Sequence, residues 1–474
     1  MSESNSMSSS SENNILINIP KDYVPIVYKF PNIEPANDIF KYDEYPSFSR
    51  NIDYPKFSLG FHHYIHQSKT KMEITKEFEN KKKVYFVINK FERYVDNYEG
   101  DLNSVSKEYF NLNDKPNILS RAFYKLWELF FMFDLVDLEE ENFVSAHLAE
   151  GPGSFIQATM FYRDKFAKKG ISKNDKYHAV TLHSEGVDKH IPKLEQTFID
   201  YYKKEKPVRF EMHKTFPREE ARISPIKDNG DITDPKTIKL FGGRFEKVKA
   251  NFITADGGFD WENENIQEQE AFKLILAQII MAVKIQMEGG SFVCKLYESF
   301  TNITSKNIAI LSSFYNEIYL VKPLTSRSSN SEKYAVCMDF KYGNSKEKNS
   351  KIQKLENVLN EMNQNKNLVN MFPDFLLSSD FKTDLISVNT EISNKQYITI
   401  NEMVEFIKKQ NYRGDEYQRR RLMQIEASKY WVDKFFPQQK EFAQKRKELF
   451  EITDQIIKQN NNKSENLERK LDFN

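Results

Sequence analysis

Residues 143–169 read FVSAHLAEGPGSFIQATMFYRDKFAKK. An apolar, strand-like run, FVSAHLA, reaches a corner at Gly151-Pro152-Gly153 and continues into QATMFYRDKFAKK, which has the composition of a helix. This is how a βα unit opens, and glycines at such a corner let the backbone pass close to a ligand at the carboxyl end of a sheet. Taken alone, Gly-Pro-Gly is more often an ordinary strand-to-helix turn. A dinucleotide fingerprint would require G-x-G-x-x-G, and residue 156 is isoleucine, which disfavours a nicotinamide dehydrogenase.

Outward from this corner, between residues 116 and 345, strand-like runs recur at HAVTL (178–182), VRFEM (208–212), NFITAD (251–256), SFVCKLY (291–297), EIYLVK (317–322) and KYAVCMDF (333–340). Helical stretches separate several of them. One, FKLILAQIIMAVKIQM (272–287), is apolar around most of its circumference and is expected to stop at Gly289-Gly290. Strand and helix in alternation imply an α/β fold, a mainly parallel sheet covered on both faces. No internal repeat is present.

The flanks differ in character. Residues 1–13 are serine-rich, and 459–474 are similarly poor in apolar side chains, so both are expected to be disordered tails. Residues 14–115 read as an accessory region with at least one helix, and 346–458 as a helical C-terminal extension. In that extension Leu422, Ile425, Val432 and Phe436 form one stripe at helical spacing, and Phe442, Leu449, Ile452 and Ile456 another.

Composition excludes several classes. The chain has 474 residues, 39% of them hydrophobic, enough for a substantial core, and its 69 basic residues balance 69 acidic ones. No whole-molecule field steers it toward a polyanion, so nucleic acid would have to meet a local patch. The two cysteines, Cys294 and Cys337, and the lack of a charged-then-apolar leader fit a reducing intracellular compartment, cytoplasmic or nuclear. No apolar run approaches the roughly 18 residues needed to span a bilayer, so no membrane partner is expected. His62, His63 and His66 lack a clear third ligand and read as packing and surface residues; no metal is expected.

The chemistry is suggested by SFVCKLYESF (291–300), where Lys295 interrupts an apolar strand. Acidic residues close neighbouring strands: Asp231 lies in NGDIT (229–233) and Asp256 in TADGGFD (254–260). With SRAFYKL (120–126), HLAEGPGSF (147–155), and GGSFVCKLYESF followed by VKPLTSRSSNSEKYAVC (289–300 and 321–337), the chain resembles the FtsJ-like ribose 2′-O-methyltransferases, closest to the branch that methylates cap-proximal nucleotides of messenger RNA. The resemblance implies a Rossmann-like S-adenosylmethionine-dependent sheet and a catalytic Lys-Asp-Lys-Glu tetrad at Lys125, Asp256, Lys295 and Glu332. It assigns Lys295 as the base or hydroxyl-orienting group, with a pKa lowered by burial and by the neighbouring Lys125. It also implies that Glu150, Gly151, Pro152, Gly153, Ser154 and Phe155 line the methionine part of the cofactor, that Asp231 reaches its adenine end, and that Asp256 lies near the sulfonium. His147 and Ser154 depart from the simplest bacterial pattern, and Glu150 is the carboxylate that could compensate.

Taken singly, three of the tetrad residues have a plainer reading: Lys295 could snorkel to water, Lys125 could lie on an exposed helix face, and Glu332 could be a surface acid. Candidate RNA contacts are Lys322, Arg327, Arg419, Arg420 and Arg421, although a basic triplet is usually a solvated face. The expected partner is capped messenger RNA, in company with transcription or capping machinery and, if the source is a large virus, in a cytoplasmic viral factory. A ribosomal or transfer RNA methyltransferase and a non-catalytic RNA-binding subunit are the alternatives.

Overall fold

A computed structural model describes residues 15–182, 194–213, 230–258 and 265–471. The serine-rich residues 1–13 and part of the TADGGFD block, Phe259 and Asp260, lie outside the described residues. The strands are β1 (Ile26–Phe30), β2 (Ser47–Phe48), β3 (Val144–Leu148), β4 (Lys176–Val180), β5 (Phe210–Met212), β6 (Ala250–Ala255), β7 (Gln286–Leu296), β8 (Tyr315–Lys322), β9 (Lys333–Phe340) and β10 (Leu368–Asn370). The helices are α1 (Leu59–Lys71), α2 (Leu102–Tyr109), α3 (Ala122–Met132), α4 (Ser154–Phe166), α5 (Gln196–Tyr202), α6 (Pro235–Gly243), α7 (Gln267–Ile285), α8 (Asn302–Phe314), α9 (Lys346–Gln364), α10 (Ser379–Lys408), α11 (Asp415–Phe435) and α12 (Phe442–Leu471).

Eight strands form one sheet in the order β1-β8-β9-β7-β6-β3-β4-β5, and β2 pairs with β10 separately. The strands β7, β6, β3, β4 and β5 are parallel, whereas β9 inserts antiparallel between β7 and β8. Helices cover both faces, as the α/β alternation requires. On one face α7 and α8 bury their apolar sides, and on the other α3, α4 and α12 bury theirs. Among the described residues no helix is long and apolar enough to cross a membrane.

Four features differ from the sequence reading. First, the N-terminal region contributes β1 to the main sheet, antiparallel to β8 with Ile26 opposite Lys322 and Phe30 opposite Ile318, so it is not merely an accessory. Second, α7 ends at Ile285 and the Gly289-Gly290 pair lies inside β7, at a register shift against β6. A Cβ on Gly290 would stand 2.7 Å from the Asn251 carbonyl oxygen, so β6 passes too close for any side chain there.

Third, α11 buries the Leu422 stripe only in part: Leu422 is exposed, Ile425 and Val432 are half-buried and Phe436, just past the helix, is buried, while the face turned inward carries Gln424, Ala427, Ser428, Trp431 and Phe435. Two small residues let this face approach closely, and the indole of Trp431 supplies the deep anchor. Fourth, α12 continues to Leu471 through residues expected to be disordered. The buried Asn460 explains part of this, because its amide donates to the Val27 carbonyl oxygen at 2.8 Å and ties the polar end of the helix to β1.

Trp127 of α3 is fully buried, packs edge-on against Tyr162 and Phe436, and donates its indole N–H to the Phe435 carbonyl oxygen at 2.6 Å. Trp127→Ala is expected to cost about 3–5 kcal/mol by leaving a cavity and an unpaired carbonyl, measured by urea unfolding at equilibrium.

Candidate active site

The site follows from strand register. Ala255 on β6 pairs with Cys294 on β7, so Asp256 and Lys295, the next residues on two parallel neighbours, emerge side by side at the carboxyl edge. The Lys295 Nζ donates to the Asp256 carbonyl oxygen at 2.9 Å and lies 3.2 Å from Asp256 Oδ1. Because β9 runs antiparallel to β7, with Tyr334 opposite Lys295, the residue just before β9, Glu332, is delivered to this same edge. Helix α3 packs over the face and brings Lys125, whose Nζ sits 2.6 Å from Glu332 Oε1. The four residues implied by the resemblance are thereby joined as two ion pairs.

Electrostatics separate the surroundings of Lys295 from those of an ordinary surface ammonium group. Burial acts to lower the pKa of Lys295, but the Asp256 carboxylate, with Tyr297 and Glu332, outweighs it and the net shift is upward. This corrects the expected lowering: as long as Asp256 faces it, Lys295 is an ammonium. Burial likewise acts to raise Glu332, and Lys125, Lys295 and Lys322 reverse it, holding Glu332 well below the usual carboxylate range.

The backbone after β6 is pressed against Lys295. A Cβ on Gly258 would stand 2.7 Å from the Tyr297 hydroxyl and 3.1 Å from Lys295 Nζ, and one on Gly257 would stand 2.5 Å from Gln278 Oε1. The Gly257 N–H donates to Gln278 Oε1 at 3.1 Å, while its carbonyl accepts from the Tyr297 hydroxyl at 2.9 Å. The Tyr334 hydroxyl donates to Asp256 Oδ1 at 3.3 Å. Tyr297, Tyr334 and Gln278 were not identified from the sequence. Strand alternation carried the only hint, since Tyr297 lies two residues beyond Lys295 on the same face.

At the glycine corner, Glu150 is buried, and its Oε1 accepts the N–H groups of Phe155 and Ile156 at 2.8 and 3.1 Å. Its Oε2 is buried without a hydrogen-bond partner among the described residues. Burial, assisted by Asp256, pushes the Glu150 carboxyl up to about 8. Gly153 caps α4 at φ +111°, a conformation that disfavours a side chain. The Pro152 carbonyl accepts the Glu195 N–H at 3.1 Å, Ser154 bonds Ser120 through their hydroxyls at 2.7 Å, and the Phe155 ring leans on Tyr334. Gly151 directly follows Glu150 in the turn. His147 is a cross-strand pin, bonded to Ser145 and Thr254 and held neutral by burial. Asp231 closes a turn, its Oδ1 accepting both the N–H and the hydroxyl of Thr233.

The basic candidates are not assembled with the tetrad as a free patch. Lys322 is buried, and its Nζ donates to Ser326 Oγ, to Asn330 and to the Glu332 carbonyl oxygen, so it closes the loop 323–332, at the wall of a cavity that Arg327 and Arg420 also line. Arg327 pairs with Glu92 and lies over the Phe86 ring. Arg419 and Arg420 both engage Glu416, and Arg421 donates to the carbonyls of Asp96 and Asn97. Only Arg419 of the triplet keeps most of its charge toward solvent.

Among the described residues, two clusters have ligand-type side chains. In one, His62 and His66 face Glu298, but Lys69 already holds the second carboxylate oxygen at 2.5 Å. In the other, His178 and His213 bond each other at 2.8 Å beside Glu211, with the Arg244 cation opposing a metal.

Residues 118–340 match the model of the FtsJ-like methyltransferase family. Among curated proteins, the cap-specific mRNA (nucleoside-2′-O-)-methyltransferase 1 of Homo sapiens is 31% identical over 244 residues, covering 48% of this chain and 26% of that protein. The inactive cap-specific mRNA (nucleoside-2′-O-)-methyltransferase 1B of Caenorhabditis briggsae is 30% identical over 216 residues, covering 43% of this chain and 25% of the relative. The alignments thus span only about a quarter of these relatives' length. Human methyltransferase-like protein 13 in complex with SAH superposes at a TM-score of 0.27 with 14% identity, covering 51% of this chain and 93% of that one. From the segment before α3 to the end of β9, this chain is similar to the FtsJ-like methyltransferase family.

Proposed function

We propose that the protein transfers a methyl group from S-adenosylmethionine to a ribose 2′-hydroxyl of RNA, at the first or second transcribed nucleotide of capped messenger RNA. The observation that carries this reading is the pairing of Lys125 with Glu332 and of Lys295 with Asp256 at one sheet edge. A 2′-hydroxyl is a weak acid, and its oxygen must be held in line and relieved of a proton as the bond to carbon forms. An ammonium fixed at the oxygen stabilises the developing negative charge without reorganising. Lys295 fits that role in its resting charge state. It becomes a proton acceptor only when the hold of Asp256 is weakened, which a positive charge brought next to Asp256 would do.

When bound, the cofactor supplies the methyl electrophile and a sulfonium charge. The residues present fit it: the unpartnered Glu150 Oε2 is a buried acceptor of the kind an amino-acid ammonium would pair with. Gly151, Pro152, Gly153, Ser154 and Phe155 would line the methionine portion, Asp231 would face the adenine end, and Asp256 would stand near the sulfonium. RNA, and capped mRNA in particular, is the partner, with capping or transcription machinery around it in the nucleus, the cytoplasm or a viral factory.

A similar protein bears the word inactive in its name, so likeness alone does not decide activity. Here all four charged groups are present and paired, which favours catalysis over a purely RNA-binding role. The relatives' printed substrate, capped mRNA, favours the cap over ribosomal or transfer RNA.

Lys295→Ala is expected to reduce methyl transfer by roughly 10²–10⁴-fold while cofactor affinity, read by calorimetry, stays near the parent value. Capped RNA should be methylated far better than the uncapped transcript, and equal incorporation would count against the cap. A pH test addresses Glu150. With its carboxyl near 8, the group is mostly neutral at pH 6, and pairing with an ammonium must expel that proton. Cofactor binding should therefore tighten from pH 6 to 8, by up to about tenfold per unit, and level off above; Glu150→Gln should bind weakly and lose the slope.

A further inference from the structure

Helix α3 and its N-cap residue turn three polar side chains toward the loop 323–332, at positions i, i+4 and i+7: Arg121, Lys125 and Glu128. Lys125 holds Glu332 at the far end of that loop. Arg121 donates to the Thr325 carbonyl oxygen and pairs with Glu92, which in turn holds Arg327. Glu128, with no exposed surface, takes the near end. Its Oε2 accepts the Leu324 N–H at 2.6 Å, and its Oε1 accepts the Thr325 N–H at 2.8 Å, the Thr325 hydroxyl at 2.5 Å and the Trp431 indole N–H at 3.0 Å.

Four donors converging on one buried side chain call for an acceptor-only group, which among side chains only a carboxylate provides. Its amide isostere would place an NH₂ against the Leu324 N–H and leave a donor unmet. The distance between the two anchor points on α3 is fixed by the helix, about 1.5 Å of rise per residue, so the loop that carries Glu332 is held at both ends by one rigid element. Trp431 comes from α11, beyond the family-matched segment that ends at residue 340.

We propose that Glu128 is a positioning residue for the Lys125–Glu332 pair, and that Trp431 makes the C-terminal helical region part of the methyl-transfer machinery. This rests on the methyltransferase reading. Glu128 touches neither substrate nor cofactor in this account; it sets where Glu332, and with it the charge around Lys295, comes to rest.

The test uses the full chain with S-adenosylmethionine and capped RNA, comparing Glu128→Gln, Glu128→Asp, Thr325→Val and Trp431→Phe. Glu128→Gln should lower kcat by about 30-fold or more, with cofactor Kd and RNA KM within about threefold of the parent. Glu128→Asp, which keeps an acceptor-only group, should recover part of the loss, and Thr325→Val and Trp431→Phe, each removing one donor, should fall between. A folded Glu128→Gln protein with kcat within twofold of the parent would overturn the proposal, as would a loss matched by an equal loss of cofactor affinity. Should Glu128→Gln fail to fold, unchanged kcat in both single-donor variants would overturn it. If the parent itself transfers no methyl group, the methyltransferase reading fails separately. Amide hydrogen exchange then still decides: Glu128→Gln should speed exchange in 323–332 and leave 147–155 unchanged, and equal rates in 323–332 would refute the positioning role.

Discussion

Two carboxylates are paired with two lysines at the carboxyl edge of the sheet, and Asp256 keeps Lys295 an ammonium where burial alone would act to discharge it. Asp256 holds Lys295 and Glu332 holds Lys125, and each pair is largely shielded from water. Desolvating such pairs gains the fold little, and removing one partner from a buried pair typically costs about 3–5 kcal/mol. The arrangement is therefore better understood as a device for chemistry than as one for stability. Its parts are far apart along the chain, and each is delivered by a different rule: strand register for Asp256 and Lys295, the reversal of β9 for Glu332, and helix packing for Lys125.

The antiparallel β9 matters most in this construction. In an all-parallel sheet the start of a strand lies at the edge opposite the ligand, and Glu332 would be out of reach. The inserted strand reverses that, and the loop before it is then closed by Lys322 through Ser326, Asn330 and the Glu332 carbonyl. The flanking regions support the same edge. β1 extends the sheet beyond β8, and α11 and α12 cover the face on which α3 lies.

Much of this was legible in the sequence. The apolar runs from FVSAHLA to KYAVCMDF became strands because each is flanked by turn residues and separated by segments with helical periodicity. The four charged residues came from a resemblance over matching blocks, and strand register explains why those blocks must meet. What stayed hidden depends on distant contacts. β1 is five residues long and is fixed by distant partners: a strand nearly 300 positions later, and Glu391 and Asn460 of the C-terminal helices. The inward face of α11 is set by Trp431 reaching Glu128, not by the stripe of Leu422. Lys322 reads as a candidate RNA contact at a strand end, and only the folded structure shows that burial pushes its pKa down and that its Nζ is spent on oxygens of the loop 323–332. The charge state of Lys295 likewise needs Asp256 beside it, which no count of spacing supplies.

Under the proposed function, the site as a whole serves one oxygen atom, the 2′-hydroxyl of a ribose near the 5′ end of a transcript. The most direct test is methyl transfer to short capped RNAs carrying 2′-deoxyribose at the first nucleotide, at the second, or at both, with the methylated position located by nuclease digestion and mass spectrometry. The account predicts that incorporation disappears when one of those two hydroxyls is removed, and that it is absent from the doubly substituted RNA. Undiminished incorporation into the doubly substituted RNA would contradict it.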